Sequence, residues 1–255
     1  IFWNPSTRDI DLESLKQIDI LIHLAGSSVG KRWSKTYKDE ILTSRVNSTN
    51  FLFETIKENK IPLKHFIGAS GIGYYGDTGS QLVDETSAIV KSDFLVEVCQ
   101  EWEKAEQKFK SICTTSIIRI GFVMGENFDG FNKLVTPVKM YAGATLSTGQ
   151  QYLSWIHIID LVNIFEFAMN SRFEGVINGV APEPITNEDL TKSIAKILNK
   201  PLILPPVPGF ALKILLGEMA DLALNSSRIR SQVLEESTFS FKFKNVEDAL
   251  NNILL

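Results

Sequence analysis

The sequence contains few of the residues that form stabilising disulfides or metal sites in small proteins. It contains two cysteines, Cys99 and Cys113, and three histidines among 255 residues. Two cysteines are too few for a disulfide framework, and neither has partners at zinc-site spacing. We therefore expect no metal site and a reducing, cytoplasmic location. A chain of this length buries about 70% of its unfolded surface, which is enough to fold without such staples.

Long apolar runs and an excess of one charge are also missing. No segment reaches the ~18 consecutive apolar residues that span a bilayer, because even the 210–224 stretch contains Lys213, Glu218 and Asp221. The 26 basic and 30 acidic residues give a net charge of −4, spread along the chain. We expect a small-molecule partner rather than nucleic acid or a membrane, and a monomer or homodimer.

The sequence does contain short apolar runs that alternate with longer helical patterns. Strand-like runs at 18–24, 65–69 and 115–120 each end in small residues. Helical patterns at 34–58 and 93–109 lie between them. This alternation predicts an α/β protein with a doubly wound parallel sheet, whose ligand crevice lies where the strands end.

The pattern changes after residue 125, where Gly, Thr and Pro become frequent. We predict helices over 131–141, from a cap at Asp160 to Met169, from Thr186, over 210–224 and over 246–254, with strands at 175–180 and 239–243. This half has no second strand–helix–strand set. We therefore assign 1–125 and 154–182 to a core, and 126–153 and 183–255 to a smaller cap.

Several short motifs occur in the order found in one protein family. They are Arg32-Trp33, Arg45 to Thr49, Gly73-Tyr74-Tyr75-Gly76, Arg119-Ile120-Gly121, and Trp155-Ile156-His157-Ile158 followed by Asp160. Together they resemble the extended short-chain dehydrogenases/reductases, and among these the poorly characterised NAD(P)-dependent epimerase/dehydratase-family proteins. The resemblance runs along the whole chain. It implies a Rossmann-like, dinucleotide-binding core with a substrate cap.

The resemblance also implies a cofactor, NADP(H) rather than NAD(H), along the carboxyl ends of the strands. The implied contacts are Leu24, Ala25, Gly26, Arg45, Thr49, Ser70, Arg119 and Gly121. Small residues at 24–26 let a dinucleotide pass close to the backbone, and they equally suit a tight strand-to-helix turn. Arg45 and Thr49 share one helical face, where they either brace the crevice loops or form a helix salt bridge.

The catalytic pair of this superfamily is not matched. The family pair is a Tyr with a Lys four residues later, whereas none of the five tyrosines here has Lys at that distance. When the helix is aligned on Glu103, Leu95 and Cys99 stand in the places of Tyr and Lys. Ordinary Tyr-mediated hydride chemistry is therefore in doubt.

The remaining candidates for catalytic hydroxyl groups are Ser70, Tyr74 and Tyr75, at the end of a predicted strand and in the loop after it. A phenol has an ordinary pKa of about 10 unless a nearby cation lowers it. Both tyrosines stand beside glycines, and packing against the cap is an equally open interpretation. Ser70 lies one residue before the position at which the family places its catalytic Ser or Thr.

Four residues are candidates for substrate contacts. Trp33 and Trp155 are expected to form an aromatic wall, and Arg32 to meet a phosphate or carboxylate unless it lies in a solvated loop. His157 is a candidate proton shuttle. Its place between two isoleucines before a helix also suits a structural hydrogen bond.

Two functions remain open on the sequence. The first is a nicotinamide-dependent oxidoreductase or epimerase-like enzyme that acts on a small polar or sugar-like substrate by hydride exchange. The alternative is a dinucleotide-binding sensor or scaffold protein without turnover, which agrees with the unmatched Tyr/Lys pair.

The start of the chain carries one further expectation. No glycine-rich phosphate loop precedes residue 18, and Phe2-Trp3 resembles the third strand of a dinucleotide-binding sheet. We expect roughly 30 to 45 more residues, one β-α-β unit, before Ile1 in the natural protein.

Overall fold

The structure is a computed structural model and describes residues 2–255. Its strands are β1 (Trp3–Asn4), β2 (Asp9–Ile10), β3 (Ile20–His23), β4 (His65–Gly71), β5 (Thr114–Ile120), β6 (Phe122–Met124), β7 (Tyr152–Leu153), β8 (Trp155–His157), β9 (Gly175–Gly179) and β10 (Ile185–Thr186). Its helices are α1 (Leu12–Leu15), α2 (Lys35–Glu58), α3 (Phe94–Glu106), α4 (Asp129–Lys139), α5 (Ile158–Ser171), α6 (Asn187–Ile197), α7 (Gly209–Leu216), α8 (Asp221–Leu224), α9 (Gln232–Glu235) and α10 (Val246–Leu254). Short 3₁₀ helices cover Ile72–Tyr75, Gln107–Ser111 and Gly217–Ala220.

The central sheet is parallel throughout and has the order β3-β4-β5-β9. Helices cover both of its faces. Phe66 and Ile67 are neighbours on β4 and both are fully buried. Phe66 packs with Leu52 of α2, whereas Ile67 packs with Ile164 of α5. Burial on both faces explains why the strands read as continuous apolar runs, and the predicted doubly wound α/β fold is confirmed.

Helix α2 begins where the sequence provides a cap. The Ser34 hydroxyl accepts a hydrogen bond from the Tyr37 N–H at 3.1 Å. An N-cap serine satisfies one of the free N–H groups of the first helical turn. The helix then extends to Glu58, as predicted, and connects β3 to β4.

Helix α5 is capped by His157 rather than by Asp160. His157 Nδ1 accepts from the Ile159 N–H at 3.1 Å. The Asp160 carboxylate instead accepts from the backbone N–H groups of Lys242 and Phe243, at 2.7 and 2.8 Å. Those two donors are therefore not available for a strand ladder. Residues 239–243, predicted as a strand, are irregular.

Two further segments differ from prediction. The helix predicted over 210–224 is divided, because Gly217 adopts φ +63° and ends α7 before a 3₁₀ turn and α8. Phe2-Trp3 was predicted as a strand of the parallel sheet. Trp3–Asn4 instead pairs antiparallel with Asp9–Ile10 in a small separate hairpin.

The second half of the chain shares its core with the sheet. Ile67 and Ile118 of the sheet belong to the same buried cluster as Leu190 and Ile194 of α6 and Leu250 of α10. A small parallel ladder of β6 with β8 joins the two halves, and β7 pairs with β10 within the second half. Within residues 2–255, no helix combines the length and apolar character needed to cross a bilayer.

Candidate active site

The carboxyl ends of the parallel strands lie together at one end of the sheet. Beside β3 this end is accessible, because no strand pairs with the other side of β3 among residues 2–255. This strand is the outer strand of the sheet and leads into Leu24, which is 60% exposed. Gly26 is also exposed. A cavity of about 240 Å³ lies along the free side of β3, lined by Trp3, Ile10, Leu15, Leu21, Ile22, His23, Leu24, Ala25 and Leu52. The free side of β3 therefore carries a largely apolar groove that reaches Leu24 and Ala25, beyond the carboxyl end of the strand.

Arg45 of α2 lies against the loop that follows β3. Its Nη1 donates to the carbonyl oxygens of Ser27 and Ile41, both at 2.9 Å. A Cβ added at Gly26 would lie 3.0 Å from Arg45 Cγ and Cζ, so glycine leaves room for this side chain. Among residues 2–255, no carboxylate lies within 4.0 Å of the guanidinium. Arg45 thus braces the loop after β3, and the alternative helix salt bridge does not form.

Thr49, one helical turn further along α2, does not reach the groove. Its hydroxyl donates to the backbone carbonyl of Arg45 at 2.8 Å, and the residue is fully buried. A hydroxyl that donates to a backbone carbonyl of its own helix has its hydrogen bond satisfied locally. Thr49 therefore supports the helix under Arg45 instead of offering a ligand contact.

A buried ion pair ties α3 to the sheet. The register of the sheet places Ser70 of β4 beside Arg119 of β5, and Arg119 beside Asn178 of β9. The Glu103 carboxylate accepts from Arg119 Nε and Nη2 and from the Ser70 hydroxyl, all at 2.8 Å. Both partners of the ion pair are at least 95% buried. Ser70 and Arg119, predicted as cofactor contacts, are therefore occupied inside the protein.

Tyr75 completes this network. Its hydroxyl accepts from Arg119 Nη1 at 2.8 Å and donates to Asn178 Oδ1 at 2.9 Å. The residue is 0% exposed and packs with Val83 of the core and with Ile229 of the cap. Burial raises the pKa of Tyr75 to about 12, although Arg119 and Asn178 act against it. This is the packing role that the sequence left open, and a phenol enclosed in this way does not reach a substrate.

Tyr74 differs from its neighbour in exposure. Its ring lies 3.3 Å from Arg119 Cζ, a cation–π contact, and the residue is only partly buried. Of the three predicted catalytic hydroxyl residues, Ser70 and Tyr75 are 3% and 0% exposed. Tyr74 is therefore the member of this set that is partly exposed to solvent.

Leu95 and Cys99 of α3 face the loop that follows β4. A Cβ added at Gly73 would lie 3.2 Å from Leu95 Cβ, and the Cys99 thiol donates to the Gly71 carbonyl oxygen at 3.5 Å. Burial raises the pKa of Cys99 to about 12. Neither side chain can exchange a proton at neutral pH, so α3 supplies neither an acid/base group nor a cation here.

Three predicted site residues are enclosed by packing: Trp155 and His157 are buried, and Gly121 is partly buried. Trp155 is 0% and His157 2% exposed, and the His157 ring packs 3.9 Å from the Phe243 ring. Burial lowers the pKa of His157, which favours the neutral ring that caps α5. A Cβ at Gly121 would lie 2.6 Å from the Ser154 carbonyl oxygen, so close packing explains this glycine. The structure therefore gives all three a structural place, and no wall formed with Trp155 faces a ligand.

The other two predicted substrate contacts lie in the loop between β3 and α2. Arg32 is exposed, and Trp33 is partly buried with its ring 5.2 Å from that of Phe94. Both are reachable from outside. Of the four predicted substrate contacts, Arg32 and Trp33 are the two whose side chains are at least partly accessible to solvent.

Sequence reasoning missed the residue that connects the cap to this network. The Glu85 carboxylate accepts from the Asn178 N–H at 2.8 Å, from the Ser231 hydroxyl at 2.6 Å and from the Gln232 N–H at 2.9 Å. In the sequence analysis Glu103 served only to align α3 with the family, although its position indicates a buried role. It stands four residues after Cys99, on the buried face of α3.

The parallel sheet with helices on both faces is a Rossmann-like architecture, the fold of NAD(P)-binding epimerase-type proteins. Residues 6–180 match the profile of the NAD dependent epimerase/dehydratase family, and residues 207–253 match a domain of unknown function (DUF1731). The chain belongs to the NAD-dependent epimerase/dehydratase family.

Three similar proteins illustrate this membership. The chloroplastic epimerase family protein SDR39U1 homolog of Arabidopsis thaliana is 38% identical over 237 residues, covering 92% of this chain and 68% of the relative. Epimerase family protein YfhF of Bacillus subtilis is 34% identical over 244 residues, covering 95% and 80%. The crystal structure of human epimerase family protein SDR39U1 with NADPH matches with a TM-score of 0.87 at 25% identity, covering 96% and 86%.

Proposed function

We propose that the protein is an NADP(H)-dependent oxidoreductase or epimerase-like enzyme that exchanges hydride with a small polar or sugar-like substrate. The observation that carries the proposal is the open carboxyl edge beside β3. There the segment after β3, Leu24 to Gly26, adjoins the Arg45 guanidinium, which has no carboxylate partner among residues 2–255. A crevice at the carboxyl ends of a doubly wound sheet is where such folds bind nucleotides.

The residues at this edge suit a dinucleotide. Leu24 and Ala25 offer apolar surface in the groove of about 240 Å³, and Arg45 offers positive charge at the loop that follows them. When bound, the nicotinamide supplies the hydride acceptor or donor. The chain itself then binds and orients, with residues 1–125 and 154–182 as the cofactor-binding core and 126–153 and 183–255 as the substrate cap.

The preference for NADP(H) over NAD(H) is supported by one relative, the human protein crystallised with NADPH. Parallel titrations of the protein with NADPH and NADH test it. We expect saturable binding of both, with NADPH the tighter ligand. Equal or tighter binding of NADH would contradict the preference while leaving the dinucleotide site in place.

Tyr74, Arg32 and Trp33 are the residues we assign to the substrate side. Tyr74 is the partly exposed hydroxyl beside the buried Arg119 charge, and the other two stand on the loop that borders the groove. Substituting Tyr74 by Phe keeps the ring on Arg119 and removes the hydroxyl. Loss of turnover with unchanged NADPH affinity supports this assignment.

A sensor or scaffold role without turnover is the second candidate, favoured by Leu95 and the protonated thiol of Cys99 on α3. A screen of carbonyl and sugar-nucleotide metabolites for NADPH oxidation separates the two. Turnover of any of them establishes an enzyme. Binding of NADPH without turnover across the screen favours the sensor.

A further inference from the structure

The Arg45 guanidinium uses only some of its hydrogen-bond donors within the protein. An arginine has five N–H donors. Those of Nη1 bond the carbonyl oxygens of Ser27 and Ile41, whereas Nε and Nη2 have no hydrogen-bond acceptor among residues 2–255. Arg119 provides the contrast, because its Nε, Nη1 and Nη2 are all bonded. Nε and Nη2 of Arg45 form the side of the fork that bonds an oxyanion in a bidentate pair.

The guanidinium is held in place before any ligand arrives. Two carbonyl oxygens fix Nη1, and Arg45 Cζ lies 5.0 Å from the Trp102 ring centroid. Glu40, an acidic side chain in the first turns of α2, accepts from the Ser27 hydroxyl at 2.8 Å and does not pair with Arg45. Burial lowers the pKa of Arg45, yet an arginine stays protonated at neutral pH. A half-buried charge without a counter-ion is unfavourable in the folded protein, and such groups concentrate at functional sites.

Helix α3 supplies no second cation at this place. Cys99, whose thiol pKa the Arg45 charge acts to lower, occupies α3 beside Gly71. Lys104, further along the helix, is exposed and bonds Glu101 at 3.5 Å. Arg45 is therefore the partly buried cation beside the end of β3, whereas Arg32 lies exposed on the loop that follows.

We infer that the Arg45 guanidinium is the oxyanion-binding group of this crevice and takes an anionic ligand oxygen in the fork of Nε and Nη2. The oxyanion belongs either to the diphosphate of the dinucleotide or to a carboxylate on the substrate. The inference rests on the proposed function for the dinucleotide. Because arginine does not release its proton, Arg45 binds and positions charge and does not act as an acid or base.

The test uses Arg45→Gln with three probes: NADPH, inorganic pyrophosphate, and oxalate added to NADP⁺-saturated protein. We expect a loss of about tenfold or more for at least one probe, since a charge-assisted bidentate pair is removed. Weaker binding of NADPH and pyrophosphate assigns the oxyanion to the cofactor, and weaker binding of oxalate alone assigns it to the substrate. Unchanged binding of all three probes overturns the inference.

Two control variants separate charge from loop bracing. Ser44→Ala removes the hydroxyl that accepts from the Ser27 N–H at 3.0 Å, so it loosens the same loop and leaves the guanidinium intact. Arg172→Gln removes an exposed arginine after α5, at the opposite edge of the sheet. Both should bind the probes as the wild type does. If Ser44→Ala weakens binding as much as Arg45→Gln, loop bracing explains the effect and the inference fails.

The pyrophosphate measurement keeps the two proposals apart. If the wild-type protein binds neither dinucleotide, the proposed function fails. The Arg45 inference is then judged on pyrophosphate alone, and it survives only if the wild type binds pyrophosphate and Arg45→Gln does not.

Discussion

The carboxylate of Glu103 and the guanidinium of Arg119 form a bidentate ion pair inside the protein, with both N···O distances at 2.8 Å. The pair connects α3 to β5, and through Tyr75 and Asn178 it continues to β9. A buried ion pair is costly to break, because the remaining partner keeps an uncompensated charge. The network therefore fixes the helix and the strands whose ends form the crevice.

Removing one partner should destabilise the fold strongly. Glu103→Gln leaves Arg119 without its counter-ion, and we expect the free energy of unfolding to fall by about 3 kcal/mol in urea titrations. Glu101→Gln is the matched control on the same helix, since Glu101 pairs only with the exposed Lys104. It should cost less than about 1 kcal/mol. Equal effects of the two variants would show that the buried pair does not hold the fold.

Glu106 should make the stability of the protein depend on pH. Both of its carboxylate oxygens are buried without a hydrogen-bond partner among residues 2–255. Burial, and then the charge of Glu103, raise its pKa well above the ordinary value of 4.5. The unfolded chain therefore loses this proton at a lower pH than the folded protein. The contribution of Glu106 is intact below about pH 4.5 and is lost as the pH rises toward the pKa of the folded state.

Glu106→Gln removes this titration. The stability of the variant relative to wild type should rise with pH above about 4.5, by up to about 1.4 kcal/mol per pH unit. Urea titrations at a series of pH values measure the difference, with Glu101→Gln as the control that should show no such slope. A difference independent of pH would mean that Glu106 is ionised in the folded protein.

The last glycine of the Gly73 to Gly76 motif should not tolerate a side chain. Gly76 has φ +72°, and a Cβ there would overlap the carbonyl oxygen of Lys91. Gly79 also has positive φ, +56°, but has no atom within 4 Å of the added Cβ. We expect Gly79→Ala to cost about 1 kcal/mol through backbone strain alone and Gly76→Ala about 3 kcal/mol or more. Similar melting temperatures for the two variants would contradict this account.

The two neighbouring tyrosines should respond differently to loss of their hydroxyl groups. Tyr75→Phe leaves Arg119 Nη1 and Asn178 Oδ1 without their buried partner, which should cost about 1–3 kcal/mol in unfolding experiments. Tyr74→Phe should cost little, because the Tyr74 hydroxyl has no hydrogen bond within residues 2–255 and the ring contact with Arg119 remains. A stable Tyr75→Phe variant would show that this phenol is not part of the support.

The fold was largely predictable because its signals are local. A few residues of sequence are enough to recognise the apolar runs of β3, β4 and β5 and the Ser34 cap of α2. Residues 239–243 were predicted wrongly because Asp160, about eighty positions away, takes two of their N–H groups. No local pattern carries that information.

The position of the site stays a prediction, and the contacts that its side chains make were not predictable from the sequence. The strand ends mark the crevice, yet whether a polar side chain faces it depends on contacts between elements. Arg119 and Ser70 are occupied by Glu103, and His157 by α5, whereas Arg45 keeps free donors because no acidic side chain pairs with it in residues 2–255. Four residues of similar polarity in sequence thus have different roles in the structure.

Calorimetric titration of the intact protein with NADPH tests the central claim, a dinucleotide site at the carboxyl edge beside β3, most directly. Wild-type protein should bind one NADPH per chain, and the bound ligand should raise the melting temperature. Leu24→Glu, which places a negative charge on the exposed wall of the groove, should weaken binding, whereas the exposed Val162→Glu on α5 should not. Absence of NADPH binding, or equal affinity of the Leu24→Glu and wild-type proteins, would contradict the account.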